Sequence, residues 1–270
     1  MGIARENDFY RFQILTDDDI QFVRMIIGLA TPDLRKIHTE TLHLYLQAQR
    51  ALGFAQAVKG QFEDLDQAAF VLQCNFLEDW HTGTESSAIP FLHELIAGDP
   101  SFYQSPTACI DFATFLAAQH LRTQKHRDVA VHPKSPIDPG TLRRTWPLMV
   151  LILATNMAWH LFANRTDFPL RIIYNSTIEK FLTSDQPVLN THADAVPGGE
   201  PPLDSALFYP VSPDLAILIG TDVRVGDGEQ ISVSLSQVAW LNDRMVAGAH
   251  RHVFAATEDE LRRRRVAGGA

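Results

Sequence analysis

Up to about residue 165, apolar and polar positions alternate along the chain with the period of an α-helix. In residues 16–29, Thr16 stands where an N-cap is expected, and three acidic residues follow it at the positive end of the helix dipole. The segments with this period are residues 16–29, 31–59, 64–80, 84–95, 106–127 and 141–164. The pattern predicts a multi-helix layer over residues 14–165.

After Pro169 the pattern changes to short runs typical of β-strands. The strand-like runs are residues 170–177, 179–190, 206–220, the region near Ile231, and 252–256, with one more helical stretch at 234–250. We therefore expect an α+β fold, in which an N-terminal multi-helix layer packs on a small mixed C-terminal sheet. Residues 1–270 are expected to form a single domain, with the sheet part at 168–257.

The composition is that of a globular protein with ample material for a core, since 46% of the 270 residues are hydrophobic and 20% are charged. The net charge of −9 argues against a protein that coats nucleic acid through phosphate contacts. It does not exclude a metal-dependent enzyme acting on a phosphodiester, because the metal would supply positive charge. Cys74 and Cys109 stand in apolar helical surroundings and are expected to be free thiols in a reducing cytosol.

Residues 146–163 are apolar enough to resemble a membrane span, but Pro147, Asn156 and His160 interrupt them. We expect a helix buried on all sides in a protein core, and no membrane partner. Residues 1–10 contain no apolar core of a signal peptide. These features together predict a cytoplasmic protein.

No strong catalytic signature occurs in the sequence, which lacks a phosphate loop, a CxxC pair, HExxH and GxSxG. The glycine-containing stretch at 220–228 is interpreted as a turn. Glu85 follows Thr84 in the first turn of a predicted helix. Its carboxylate either stabilises the helix dipole or points into a pocket.

Gln119, Arg122 and His126 stand three and four positions apart in a predicted helix, so they are expected to share one face. One interpretation is a solvated helix end. The other is a buried guanidinium that forks onto a carboxylate or a phosphate, because an arginine beside an apolar core needs a partner.

Asp185, in the stretch Thr183-Ser184-Asp185-Gln186-Pro187, is expected to end a central strand. Asp, Ser and Pro favour turns, so the stretch is either a turn or a strand end that presents a carboxylate in a cleft. His250 and His252 flank Arg251 and would share one face of a strand, but the sequence offers no third metal ligand beside them.

Five stretches in order resemble the bacterial proteins grouped as domain-of-unknown-function family 4238. They are HTGTESSAIPFLHELIAGD, FLAAQHLRTQ, FLTSDQPVLN, FYPVSPDLAILIG and VAWLNDRMVAGAHRHVFA. The resemblance covers about residues 8–256. The family's usual His-Tyr-Val-Pro-Gln-like stretch does not precede residues 9–12 here.

The resemblance implies a set of recurrent polar positions but no established reaction. These positions are Glu85, Gln119, Arg122, Thr123, Ser184, Asp185, Pro187, Ser212, Pro213 and Asn242. One reading is a divalent-metal hydrolase, such as a nuclease-like effector, in which Glu85 and Asp185 hold Mg²⁺ or Mn²⁺ and Arg122 steadies a phosphodiester or other small-molecule substrate, with Gln119 in the catalytic set.

The other reading is a non-catalytic binding or regulatory module without a cofactor. Arg122 would then bridge Glu85 and Asp185 in a structural polar network. In either reading Thr123, Ser184, Asn242 and His126 are candidate ligand-binding positions. An anion binder that uses the Arg122 fork lies between the two.

Overall fold

The structure is a computed structural model that describes residues 11–132, 136–193 and 204–267. The chain divides into two compact units. Unit 1 consists of Met1–Ser87 and Gln124–Ala158, and unit 2 consists of Ala88–Thr123 and Trp159–Ala270. Most of residues 191–205, a stretch rich in Pro, Gly and acids that has the composition of a loop, lies outside the described residues, as do residues 133–135 of the proline-rich stretch 129–140.

The described residues contain eight α-helices and seven strands, which confirms the predicted α+β class. The helices are α1 (Asp17–Gly28), α2 (Pro32–Ala57), α3 (Glu63–Ile96), α4 (Pro106–Leu121), α5 (Gln124–Ala130), α6 (Pro139–Ala163), α7 (Leu235–Gly248) and α8 (Glu258–Ala267). The strands are β1 (Leu170–Tyr174), β2 (Thr183–Ser184), β3 (Leu189–Asn190), β4 (Leu207–Ser212), β5 (Leu215–Ile219), β6 (Gln230–Ser232) and β7 (Val253–Phe254).

Helix α1 begins with the predicted cap, which also anchors a buried ion pair. The Asp19 amide donates to Thr16 Oγ1 at 3.2 Å, and the Thr16 amide donates to Asp19 Oδ2 at 2.9 Å. Arg144 of α6 forks onto the same carboxylate, with Nε 2.6 Å from Oδ2 and Nη2 2.9 Å from Oδ1. Burial alone would raise the pKa of Asp19, but the bonds from Arg144 and Thr16 hold it far below its usual range.

Helix α3 is one continuous helix, whereas the sequence predicted two helices at 64–80 and 84–95. Thr84 does not cap a new helix, because its hydroxyl donates to the Trp80 carbonyl one turn back at 2.9 Å. The buried residues Leu77, His81 and Ala88 keep the helical period across Gly83. The two apolar patterns are therefore in phase, and a glycine in the helix interior does not end it.

The sheet of unit 2 is mixed, as predicted. Its strand order is β3-β4-β5-β1-β6, in which β1 is antiparallel to β5 and parallel to β6 while the other pairs are antiparallel. Every residue of β5 is buried. Val238, Leu241 and Met245 of α7 belong to the same apolar cluster as the inner residues of the sheet, so α7 covers one of its faces.

Helix α6 begins two residues before and ends one residue before the bounds predicted from the sequence, 141–164, and it is not buried on all sides. By length and composition it is the one helix within the described ranges that could cross a membrane, and half of its most apolar stretch is buried in the protein. Leu148 and Ile152 lie in the apolar cluster of unit 1, whereas His160 is exposed. The polar positions that interrupt the apolar run thus include one on an exposed face.

We predict that His38→Leu stabilises the protein, above all in acid. His38 is 1% exposed on the buried face of α2, and neither ring nitrogen has a hydrogen-bond partner among the described residues. Burial lowers the pKa of His38, so below the unfolded pKa of about 6.5 the unfolded chain binds a proton that the folded chain does not. Stability is therefore lost as the pH falls through that value.

The leucine variant should raise the free energy of unfolding by about 1–2 kcal/mol at pH 7, and by more at pH 5, in urea titrations. His43→Leu is the matched control, because His43 is exposed on the same helix and its ring contacts Gln47 at 2.9 Å. Equal pH profiles for the two variants would contradict the assignment. Both variants should still lose some stability in acid, because burial also lowers the pKa of His120 in unit 2.

Candidate functional site

Asp185 lies directly after β2 and binds the main chain that precedes β7. Its Oδ1 accepts a hydrogen bond from the His250 amide at 2.8 Å, and its Oδ2 accepts from the amides of Arg251 and His252 at 2.8 and 3.1 Å. The Asp185 amide donates to the His252 carbonyl at 3.1 Å. The half-buried carboxylate is thus held by three consecutive N–H groups.

The strand before Asp185 is not central, contrary to the sequence prediction. β2 has two residues and pairs only with β7 in a separate two-stranded ribbon. The apolar residues Phe181 and Leu182 are buried without being part of a strand. Phe181 and Leu182 belong to the apolar cluster that also contains residues of α7. Their place in this cluster explains the apolar run in the sequence, although they are not part of the main sheet.

Ser184 forms the turn that the sequence suggested. Its Oγ accepts from the Gln186 amide at 3.0 Å and also lies 3.0 Å from the Gln186 carbonyl and 3.3 Å from Met245 Sδ. Such a hydroxyl-to-amide contact two residues on is a local turn. Ser184 is buried, so these contacts also satisfy its own polar group.

Asn242 of α7 fastens the segment before β2. Its Oδ1 accepts from the Leu182 amide at 2.9 Å, and its Nδ2 donates to the Lys180 carbonyl at 2.8 Å and to Glu179 Oε1 at 3.0 Å. The side chain is 1% exposed. Pro213, the next residue after β4, contributes its carbonyl to the same segment by accepting from the Phe181 amide at 2.9 Å.

The predicted face of Gln119, Arg122 and His126 is divided between two helices. α4 ends at Leu121 with Arg122 as its C-cap, and α5 begins at Gln124, so His126 does not continue the stripe. Gln119 and Arg122 do share a face, because Arg122 Nη2 donates to Gln119 Oε1 at 2.9 Å. Because the helix breaks after Leu121, the 3.6-residue spacing no longer places His126 on the same face as Gln119 and Arg122.

The end of α4 approaches the turn that contains Asp185. His120 Nδ1 lies 3.2 Å from the Val188 carbonyl, just after Pro187. Thr123 Oγ1 donates to the His120 carbonyl at 3.4 Å, and Thr123 is buried. Unit 2 thus brings together the Gln119–Thr123 stretch, the Ser184–Val188 turn and, through α7, Asn242.

Glu85 lies in unit 1, where it is half-buried. It stands in the interior of α3, far from the first turn, so the predicted role at a helix N-terminus is wrong. His126, in α5, also belongs to unit 1. Ser212 ends β4, where its Oγ accepts from the Asp214 amide at 3.3 Å.

A metal site is not apparent in the described part of the chain. There, no group of three or more His, Cys, Asp or Glu side chains could hold a metal ion. The Asp185 carboxylate, proposed from the sequence as a ligand, already accepts three N–H donors. A carboxylate offers about four acceptor positions, so the set fits Mg²⁺ or Mn²⁺ poorly at this residue.

The sequence reasoning did not identify the ion pair at the turn that follows β5. Asp222 Oδ2 lies 2.6 Å from Arg224 Nη2 and its Oδ1 lies 2.8 Å from Arg224 Nε. Burial alone would raise the pKa of Asp222, but the hydrogen bonds from Arg224 lower it to about 2. The sequence did contain a signal for this ion pair, because an arginine follows the aspartate by two residues. The stretch was interpreted only as a turn.

These features define an α+β protein in which the side chains of Asp185, Ser184 and Asn242 hold irregular main chain. The model of a family described as a protein of unknown function, DUF4238, matches residues 149–259. The match supports the resemblance to that family over residues 149–259, which include Asp185 and Asn242 but not Glu85, Gln119 or Arg122. No curated protein and no solved structure matched the chain.

We predict that Asn242→Ala strongly destabilises the fold. The change removes the partners of the buried Leu182 amide and Lys180 carbonyl. The expected loss in the free energy of unfolding is about 2–4 kcal/mol, measured by urea titration. Asn164→Ala is the control, because the Asn164 amide bonds only at an exposed helix end and its loss should cost under about 1 kcal/mol. Equal losses in the free energy of unfolding for the two variants would contradict the role of Asn242 in holding residues 179–182.

Proposed function

We propose that the chain is a non-catalytic binding or regulatory module in which its recurrent polar residues maintain the fold. The observation that carries this proposal is the Asp185 carboxylate, whose two oxygens accept the amides of residues 250–252. A carboxylate in this position ties two segments of main chain together. These three hydrogen bonds orient the Asp185 carboxylate without any substrate or metal ion.

The electrostatics of the Asp185 contacts support the same proposal. An N–H group presents its positive end to the carboxylate, so three of them stabilise the negative charge where a metal ion would otherwise have to do so. A cation bound there would compete with these donors for the same lone pairs. The Asp185 contacts therefore leave little capacity for Mg²⁺ or Mn²⁺.

The other recurrent residues of unit 2 favour a structural role as well. Asn242 uses both its oxygen and its nitrogen on the segment 179–182, and Ser184 closes a turn. Side chains that are fully engaged with main chain are poorly placed to move protons or to hold a substrate.

The metal-dependent hydrolase is the competing proposal. In it, Glu85 and Asp185 bind Mg²⁺ or Mn²⁺, and Arg122 with Gln119 acts on a small molecule or phosphodiester. The two proposals differ in what metal ions do to stability. A ligand that binds only the folded chain raises the unfolding midpoint by an amount set by its concentration relative to its Kd.

We predict that Asp185→Asn lowers stability and that metal ions do not alter the difference. The variant replaces an acceptor oxygen by an NH₂ group that faces main-chain donors. The expected loss is about 2–3 kcal/mol in the free energy of unfolding. Thermal unfolding of both proteins, in EDTA and in millimolar Mn²⁺ or Mg²⁺, measures both parts of this prediction.

Asp227→Asn is the matched control, since it removes the same charge from a carboxylate that is 86% exposed and paired with Arg171. Its loss should be below about 1 kcal/mol. A metal-dependent rise in the midpoint of the wild type that is absent from Asp185→Asn, but kept in Asp227→Asn, would reject the proposal in favour of the hydrolase.

A further inference from the structure

The five-stranded sheet of unit 2 ends at β6, which pairs with another strand on one side only. In the strand order β6 follows β1, and no strand lies beyond it among the residues that the structure describes. Burial alternates along β6, since Ile231 is buried between the exposed residues Gln230 and Ser232. Ile231 belongs to the apolar cluster that contains residues of α7. β6 is therefore an edge strand that is anchored to the core by its central side chain.

The hydrogen bonds to β1 show which main-chain groups of β6 point away from the sheet. Two of these bonds join Ile172 N to Glu229 O at 2.9 Å and Val233 N to Tyr174 O at 3.1 Å. In a parallel pair, residues that bond to the neighbouring strand alternate with residues whose N–H and C=O groups point the other way. The odd-numbered residues of β6 thus bond to β1. The N–H and C=O groups of Gln230 and Ser232 point outward, where both residues are exposed.

Two large apolar side chains beside β6 are also exposed. Val223, in the turn after β5, is 87% exposed, and Leu235, the third residue after β6, is 47% exposed. The turn lies against β6, because a Cβ atom placed on Gly226 would be 3.2 Å from Ile231 Cγ2. A partner that pairs with the edge would therefore find apolar side chains next to the main-chain donors and acceptors, as in the core of a protein–protein interface.

A second copy of β6 matches the pattern of donors and acceptors at this edge. When two such strands run antiparallel about a two-fold axis at Ile231, Gln230 of each copy stands opposite Ser232 of the other. Each of these pairs exchanges N–H···O bonds in both directions. The two pairs together use every outward N–H and C=O group of Gln230 and Ser232 in both strands.

The charges and the length of the edge favour the same partner. Glu229 is the only charged residue from Gly228 to Ser236, and in this register it stands opposite Val233 of the second copy. Like charges, which destabilise strand pairs when they are directly opposite, are thus kept apart. β6 has only three residues, so it offers too few alternate side-chain positions to select the sequence of a foreign peptide.

We propose that the protein forms a symmetric dimer in which β6 pairs with β6 of a second copy and joins two five-stranded sheets into one. The contact between the strands is short, so we expect a reversible dimer that forms at micromolar or higher concentrations. The inference does not depend on the proposed function, because it concerns other residues and holds for a binding module and for an enzyme.

The first test is sedimentation velocity of the full chain from micromolar to millimolar concentration, combined with amide hydrogen exchange. A reversible monomer–dimer equilibrium is expected. The amides of Gln230 and Ser232 should exchange more slowly as the concentration rises, because pairing protects them. A protein that stays monomeric throughout, or a dimer that leaves the exchange of these two amides unchanged, would overturn the proposal.

The double variant Gln230→Lys with Ser232→Lys should raise the dissociation constant of the dimer about tenfold or more, because each lysine then faces a lysine of the second copy. The matched control is Gln56→Lys with Gln61→Lys, which changes the net charge equally at two exposed glutamines of unit 1. Equal weakening in the two double variants would show that β6 is not the interface.

A mixture of the lysine double variant with Gln230→Glu, Ser232→Glu should dimerise again, because opposite charges then face each other in both pairs. This rescue separates pairing from misfolding, since an unfolded variant cannot be rescued by its counterpart. If the lysine variant does not fold, Ser232→Pro removes one outward N–H group without breaking a bond to β1, and it should weaken the dimer. Failure of the rescue between folded variants, or a Ser232→Pro dimer of unchanged affinity, would overturn the proposal.

Discussion

The need to pair main-chain polar groups in irregular segments is the constraint on which unit 2 depends. Residues 179–188 and 249–252 are largely outside the sheet, so the ladder cannot satisfy their N–H and C=O groups. Asp185, Ser184 and Asn242 do this instead, through side chains that bind main-chain atoms. Buried polar groups that lack such partners are costly, so the loss of any of these three side chains should destabilise unit 2.

Much of the fold followed from periodicity. The helix-to-strand change at Pro169, the capped start of α1 and the mixed sheet were all predictable, because each depends on local patterns. The errors occurred where a local signal was overridden. Gly83 and Thr84 looked like a helix boundary but lie inside α3, and the apolar run before Asp185 looked like a central strand but packs beneath α7.

The site was predictable only in part, since the sequence identifies polar residues and not their partners. Asp185 and Asn242 stood out as polar groups beside apolar runs, yet the partners of Asp185 are amides 65–67 residues away. Because every residue except proline has a main-chain N–H group, the residue types do not show which of these groups will bind a carboxylate. Asp222 was missed for a related reason, because an aspartate among glycines reads as a turn whether or not an arginine covers it.

The ion pair between Asp19 and Arg144 has a consequence for how the protein is made. Its two residues are 125 positions apart, and unit 1 is built from two stretches that the residues of Ala88–Thr123 separate. During synthesis, α1 therefore leaves the ribosome long before its buried carboxylate can meet its arginine. Until α6 has been translated, Asp19 lacks its arginine, so we expect unit 1 to complete its folding only after the second half of the chain has begun to emerge.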